Sequence, residues 1–312
     1  MPDDKFAFSY AASDLDGVAV QGRVRLNPLH SAVAHLLMKD AQRHPLVEII
    51  CKNERDATRR LRVKVNASRY SDEMIDTLIL TPGEEETLRL FPAFVPEKVA
   101  ELNALTSTYI RLHLDDLATG QILFETMLPL DLLAVNSAPL AALDPTTEQF
   151  LDQTRYFGAF VTPDDPEIDA FMQAAARFLP DGETFAGYQG SVYAQVEAFY
   201  NALSARGVRY VDSVLDFNPS PQTQVSQRVR LPRQALTMQA ANCIDGTLLL
   251  ASLLEHVGIE PAIVILPRHA LVAWAPSAGS EKWRYLETTE IGRQPFAKAV
   301  EMGGNLAAGA AQ

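Results

Sequence analysis

The stretch NCIDG at residues 242–246, with the chain that follows it to LETT at residues 286–289, decides the fold of the C-terminal region. Apolar residues recur at positions 244, 248, 251 and 254, a spacing that predicts a helix with one buried face. Asn242 is a good N-cap, and Asp245, three residues on, completes a capping box. Gly258 stands where such a helix ends. Cys243 is therefore expected at the first position of a buried helix.

That position bears on the chemistry of the Cys243 thiol. A cysteine attacks as its thiolate, and a helix N-terminus lowers the thiol pKa, so the position favours a nucleophile. The negative charge of Asp245 opposes this effect, and a cationic neighbour is needed as well. His269 is the candidate, because it follows the apolar run 261–266 and a turn at residues 267–268, and opens a second extended run.

A third extended run, residues 283–289, brings a carboxylate toward the same histidine. If Ser277 to Gly279 form a three-residue hairpin loop, position 274 pairs with 282 and position 272 with 284. In this register His269 faces Glu287, and opposed residues have Cβ atoms about 5 Å apart. The sequence thus predicts a nucleophile, a base and an orienting acid in Cys243, His269 and Glu287.

Length and composition set broad limits on the class of protein. The 312 residues suggest about two domains, and the 47% hydrophobic content suits folded cores. A net charge of −12 argues against a nucleic-acid surface. With two cysteines, Cys51 and Cys243, no disulfide framework is expected. The N-terminus lacks the layout of a signal peptide and no apolar run is long enough for a membrane span, so a cytoplasmic location is expected.

The order of predicted elements indicates an α+β chain. Short alternating strands separated by turns predict an antiparallel β-sandwich, of the immunoglobulin-like kind, over residues 1–140, although residues 31–39 look helical. Residues 141–165 are expected to be a linker. Helices are predicted over 168–178, 191–203 and 232–238, a short strand over 208–211, and a loop over 212–230. The second domain is expected over 166–302, with residues 303–312 as a tail.

The C-terminal residues resemble the transglutaminase-like (papain-like) superfamily of cysteine proteases and acyltransferases, in its bacterial form. The resemblance covers about residues 190–300 and is carried by four segments: NCIDGTLLLASLL at 242–254, GIEPA at 258–262, RHALV at 268–272 and WRYLETT at 283–289. In that family the cysteine begins a central helix that packs on an antiparallel sheet, and the histidine and acid lie on neighbouring strands. The family usually has aspartate where Glu287 stands, and often an aromatic residue where Leu271 stands.

An acyl-transfer site also needs donors for the oxyanion. The backbone N–H of the cysteine commonly serves, together with a side-chain donor nearby. Gln227 is the first choice for that donor, with Gln224 and Gln189 as alternatives, and Asn242 and Asp245 support the nucleophile as its capping pair. No metal and no cofactor is expected.

The predicted function is a cysteine hydrolase of peptide or isopeptide bonds that works through an acyl-enzyme on Cys243, His269 and Glu287. Two alternatives stay open: transglutaminase-type transfer of the acyl group to an amine, and a non-catalytic scaffold that retains the fold. The expected partners are a protein or peptide substrate and, through the N-terminal sandwich, a protein partner. No nucleic acid and no membrane is expected as a partner.

Overall fold

The computed structural model describes residues 5–143, 149–212 and 224–310. The chain forms two compact units, Met1–Ser137 and Ala138–Gln312. Helices and mostly antiparallel sheets make it α+β, as predicted. In the part of the chain that the structure describes, no helix combines the length and the apolar character that crossing a bilayer requires.

The N-terminal unit is built from two four-stranded antiparallel sheets. One has the strand order β1-β2-β3-β6 and the other β5-β4-β7-β8. Short α-helices accompany them. The strands are β1 (Ala7–Tyr10), β2 (Val18–Val24), β3 (Val47–Asn53), β4 (Arg59–Asn66), β5 (Met74–Leu80), β6 (Glu85–Leu90), β7 (Thr106–Asp116) and β8 (Ile122–Leu132), and the helices are α1 (Ala34–Met38) and α2 (Pro96–Ala100).

The alternation of apolar and polar residues explains how these two sheets share a core. Along β4, Leu61, Val63 and Val65 are buried while the residues between them are not. Across the two sheets, Phe8 of β1 lies 5.5 Å from Phe124 of β8, centroid to centroid. The six strands predicted between residues 46 and 127 are all present, and β1 and β2 were not predicted.

The C-terminal unit contains five α-helices and several small sheets within its described residues. Its three-stranded sheets have the orders β10-β9-β12 and β14-β15-β16, and β11 pairs with β13. The first of its strands, β9, begins at the division between the units. The elements are β9 (Ser137–Leu143), β10 (Phe150–Asp152), α3 (Pro166–Ala175), α4 (Val192–Arg206), β11 (Arg209–Tyr210), β12 (Gln224–Arg228), α5 (Pro232–Met238), β13 (Ala240–Ala241), α6 (Cys243–His256), β14 (Pro261–Leu266), β15 (His269–Trp274), β16 (Arg284–Leu286) and α7 (Phe296–Ala310).

Helix α6 is the centre of this unit. Every residue from Ile244 to Leu254 is buried, and the helix packs against β14 and β15. Gly258 has a φ of +74°, the left-handed conformation typical of a helix end. The helix that the sequence predicts is therefore confirmed at both its ends.

Three segments differ from the expectation. Residues 224–228, within the predicted loop 212–230, form strand β12, and the rest of that loop from 213 to 223 lies outside the described residues. The predicted linker 141–165 includes β10 and a 3-10 helix at 154–160 with Tyr156, Phe157 and Phe160 buried. The predicted tail is wrong for residues 303–310, which are helical, because α7 buries Phe296, Ala299 and Gly303.

The register of the last hairpin is also corrected. Gly279 has the predicted left-handed backbone, with φ of +67°. However, Trp274 pairs with Arg284 and Val272 with Leu286, two positions beyond the predicted partners, because pairing resumes only after a longer loop. Since side chains alternate faces with a period of two, this shift keeps the same side chains on the same face. Glu287 follows the end of β16 and is not opposite His269.

Candidate active site

The nucleophile candidate stands at the start of α6, fixed there by its two neighbours. The Asn242 side chain accepts a hydrogen bond of 2.8 Å from the Asp245 N–H, and the Asp245 carboxylate accepts one of 3.1 Å from the Asn242 N–H. This is the capping box that the sequence predicts. It makes Cys243 the first helical residue, where backbone N–H groups lack partners within the helix.

Asp245 has a second role that the sequence did not indicate. Its carboxylate is fully buried and accepts two hydrogen bonds from Arg230, one from the backbone N–H at 2.7 Å and one from Nη1 at 2.8 Å. A buried charge is tolerated when it is paired and hydrogen-bonded in this way. The pair ties the segment after β12 to the first turn of α6.

His269 and Glu287 are in direct contact. The imidazole Nε2 lies 2.6 Å from Glu287 Oε2. The acid is almost sealed from solvent, with 3% of its side chain exposed, whereas 26% of the histidine side chain is exposed. A buried carboxylate thus contacts a partly exposed imidazole. This arrangement suits a general base whose orientation is fixed by an acid.

The second oxygen of Glu287 is held from the other side. Oε1 accepts hydrogen bonds from the Thr289 N–H at 3.0 Å and from the Thr289 hydroxyl at 2.6 Å. Glu287 is thereby the cap of the 3-10 helix Thr288–Glu290. Two bonds to one oxygen leave the other aimed at the histidine, so the longer side chain of glutamate is fixed in a single orientation.

The Cys243 side chain is partly buried at the start of α6. Its pKa lies above the ordinary value of a thiol, chiefly because burial disfavours the thiolate, and the carboxylates of Glu287 and Asp245 raise it further. The backbone N–H groups of Ala270 and Ile244 lower the pKa in part. Desolvation thus outweighs the lowering effect of the helix start.

Ala270, whose backbone N–H lowers the thiol pKa, is the neighbour of His269 in β15. No hydrogen bond joins the Cys243 sulfur to the imidazole within the described part of the chain. Because Nε2 is engaged by Glu287, Nδ1 is the nitrogen through which His269 would exchange a proton with the thiol. Such contacts often tighten only in the complex with substrate.

The predicted oxyanion donors are less well placed. Gln227 lies in β12 and is half-buried, and its side chain forms no hydrogen bond with any residue that the structure describes. Gln189 is exposed at the end of a 3-10 helix. The side chain of Gln224 lies outside the described residues.

Sequence reasoning missed Tyr210. Strand β11 runs parallel to β13, and Tyr210 pairs with Ala241 just before Asn242. Its hydroxyl donates a 2.7 Å hydrogen bond to Asp212, which raises the pKa of Tyr210 to about 12, and the charge of the Cys243 thiolate adds to that increase. The pairing of β11 with β13 thus places Tyr210 beside the residue that precedes the cap Asn242. A strand of two residues carries no periodic signal that would have shown this.

Two further residues join the acid segment to the nucleophile helix. The Thr288 hydroxyl donates to the Cys243 carbonyl at 3.2 Å. Gly246, one turn into α6, leaves room for this approach, because a Cβ there would lie 2.9 Å from Thr288 Oγ1. The nucleophile and the acid are thus held together independently of His269.

Within the described ranges, no three His, Cys, Asp or Glu residues are grouped so that they would bind a metal ion.

Comparison with known proteins identifies no family. No protein-family description and no curated protein matches the chain. Among solved structures, a FixG-related protein from Vibrio parahaemolyticus is similar over 38% of this chain and 97% of its own, at 17% identity and a TM-score of 0.25. A β-glucuronidase from Bacteroides uniformis is similar over 40% of this chain, at 11% identity and a TM-score of 0.22. This chain covers only 12% of that enzyme.

Proposed function

We propose that the chain is a cysteine hydrolase of peptide or isopeptide bonds. The observation that carries the proposal is the contact of 2.6 Å between His269 and Glu287, together with the 3.2 Å hydrogen bond by which Thr288, the residue after the acid, binds the Cys243 carbonyl. A buried acid, an accessible imidazole and a partly exposed cysteine at a helix start are the components of thiol-based acyl transfer.

The steps follow from these positions. Nδ1 of His269 takes the thiol proton as the sulfur attacks the carbonyl carbon, and Glu287 stabilises the imidazolium that forms. The imidazolium then gives its proton to the leaving amine as the carbon–nitrogen bond breaks, which leaves an acyl group on Cys243. Water, deprotonated by His269, attacks the thioester and releases the acid and the free thiol.

The developing oxyanion needs donors at the front of α6. The N–H of Cys243 is suitable, because it stands at the first helical position, where such groups have no partner inside the helix. Gln227 is proposed as the second donor. In this scheme Asn242 and Asp245 hold the first turn of α6 in place, so that the Cys243 N–H points toward the oxyanion.

The resemblance to transglutaminase-like proteins agrees with this proposal. The residues that carry it are those of the candidate site, and the arrangement of a nucleophile helix on an antiparallel sheet is the one that the family implies. The N-terminal sandwich is proposed to be immunoglobulin-like, since two antiparallel sheets that share one core suit that class. We propose that it recruits a protein partner.

The first prediction tests the acyl-enzyme directly. Incubation with p-nitrophenyl acetate, an activated ester that needs no specific recognition, is expected to add one acetyl group to Cys243, seen by intact-mass spectrometry. His269→Ala is expected to slow acylation by at least about a hundredfold, because general-base catalysis contributes about 10²–10⁴. Cys51→Ala and the exposed-histidine variant His35→Ala serve as matched controls and should match the wild type.

Equal acylation rates in the wild type and in His269→Ala would contradict the proposal. Adding a primary amine separates the two chemical outcomes, since transfer gives an amide of that amine and hydrolysis gives acetate alone. A scaffold without catalysis is the remaining alternative, and two observations favour it: the thiol pKa is raised, and the Cys243 sulfur is not hydrogen-bonded to the imidazole of His269. The comparison of acylation rates between the wild type and His269→Ala decides between the scaffold and the hydrolase.

A further inference from the structure

Glu287 stands where the strand ladder no longer fixes the backbone. Strand β16 ends at Leu286, and its pairing with β15 covers only residues 284–286. Something else must hold the acid within reach of His269. The Glu287 N–H donates a hydrogen bond of 3.1 Å to the carbonyl of Ala299, which lies inside helix α7. Helix α7 is therefore the support on which the acid rests.

Gly303 is the residue of α7 that lets the helix approach the backbone of residues 286–287 closely. A Cβ at position 303 would lie 2.8 Å from the Leu286 nitrogen, 2.9 Å from the Glu287 nitrogen and 2.9 Å from the Leu286 carbonyl carbon. All three are backbone atoms, so no change of rotamer relieves the overlap. Adding the Cβ forces the strand and the helix apart.

The conformation of Gly303 does not require glycine. The residue lies within a regular α-helix, where glycine is less stable than alanine by about 1 kcal/mol. The glycine is also buried, and the lack of room for a Cβ explains why glycine stands at this position. At the neighbouring Gly304, a Cβ would meet no atom within 4 Å. Of the two adjacent glycines, Gly303 alone is in close contact with the backbone of the acid segment.

We propose that Gly303 is a positioning residue of the site: by letting α7 touch residues 286–287, it sets the distance between Glu287 and His269. The inference rests on the proposed function for the role of the acid, but the contact itself stands independently. Gly303 acts through Glu287 and touches no substrate. The geometry of the candidate site formed by Cys243, His269 and Glu287 thus depends also on Gly303.

The test compares Gly303→Ala with Gly304→Ala, the same substitution one position along the same helix. The readout is the proton on Nε2 of His269, which the bond to Glu287 protects from exchange and shifts downfield in an NMR spectrum. Gly303→Ala is expected to lose or shift this resonance as Glu287→Ala does, whereas Gly304→Ala leaves it unchanged. A resonance in Gly303→Ala identical to that of the wild type would overturn the proposal.

Kinetics provide a second readout. Acylation of Cys243 is expected to fall by about ten- to a hundredfold in Gly303→Ala, since displacements near 1 Å cost up to about a hundredfold. Combined with Glu287→Ala, the glycine substitution should have no further effect, because the residue that it positions is gone. An equal loss in both backgrounds would mean a general structural role and would overturn the proposal.

Failure of the proposed function and failure of the role of Gly303 give different results. If the wild type does not acylate, the proposed function is contradicted, and the NMR comparison still decides the role of Gly303. If Gly303→Ala does not fold, amide exchange in the wild type decides instead. The Glu287 amide is expected to be protected through its bond to Ala299, and exchange as fast as in an exposed loop would show that α7 does not hold the acid.

Discussion

The state of the Cys243 thiol is set by opposing influences on one atom. Burial and two carboxylates raise its pKa, and two backbone N–H groups lower it in part. Because its pKa is raised, the Cys243 thiol stays protonated at pH 7 unless a base accepts its proton, and little thiolate is present. In the proposed mechanism, reactivity at neutral pH therefore comes from proton transfer to His269.

This leads to a prediction about pH dependence. In His269→Ala, alkylation of Cys243 by iodoacetamide should keep rising with pH above about 8.5, the pKa of a free thiol, because the raised pKa delays formation of the thiolate. The wild type should instead show reactivity near pH 7 that exceeds the variant by at least about tenfold. Rates measured from pH 6 to 10 check this. Superimposable profiles would contradict the role of His269.

At the residue scale the sequence predicted that Glu287 lies beside His269, and the structure has this contact, although the predicted strand register is wrong. The role of Cys243, His269 and Glu287 in catalysis stays a prediction. The extent to which burial raises the thiol pKa could not be predicted, because desolvation depends on which residues from other segments cover the side chain. Thr289 was missed as the second holder of the acid, since a hydroxyl beside a carboxylate has no distinctive pattern.

At the scale of elements, the first turn of α6 depends on one buried ion pair. Asp245→Ala removes the capping box and leaves Arg230 without the carboxylate that it binds. The free energy of unfolding is expected to fall by about 2–4 kcal/mol, measured by urea denaturation, since breaking a buried pair leaves a polar group unsatisfied. Asn242→Ala, which removes only a cap, should cost about 1 kcal/mol. Equal losses in the two variants would contradict this ranking.

The elements themselves were predicted unequally, for physical reasons. Helices with a periodic apolar face, such as α4 and α6, were found near their true ends. The hairpin register was wrong because it depends on where pairing resumes after the turn, and this is decided by contacts across the sheet. The C-terminal part of α7, residues 303–310, was predicted to be a tail, because its glycines and alanines indicate flexibility in isolation and become informative only when the contact of Gly303 with Glu287 is known.

At the scale of the whole molecule, the two cysteines lie in different units and in different environments. Cys51 is completely buried in β3, and burial raises its pKa to about 12. Iodoacetamide is therefore expected to label one thiol per native chain, Cys243, and both thiols in denaturant. Peptide mapping by mass spectrometry checks the assignment. In Cys243→Ala, labelling should appear only as the N-terminal unit unfolds, and labelling of its native state would contradict the burial of Cys51.

The division into two units was predicted from the change in pattern along the chain. Alternating strands precede residue 137 and long helices follow it, and that contrast is visible without coordinates. The predicted linker, residues 141–165, belongs to the second unit. Its aromatic residues Tyr156, Phe157 and Phe160 are buried, and burial of this kind carries no periodic signal in so short a segment.

The loop between β15 and β16 has a practical consequence. Its tip, Ser277 to Gly279, is exposed, and the strand pairing closes behind it at Trp274 and Arg284. Because the tip lies outside the paired residues, an affinity tag inserted there would leave the pairing of β15 with β16 in place. The protein could then be immobilised by this loop for the acylation measurements.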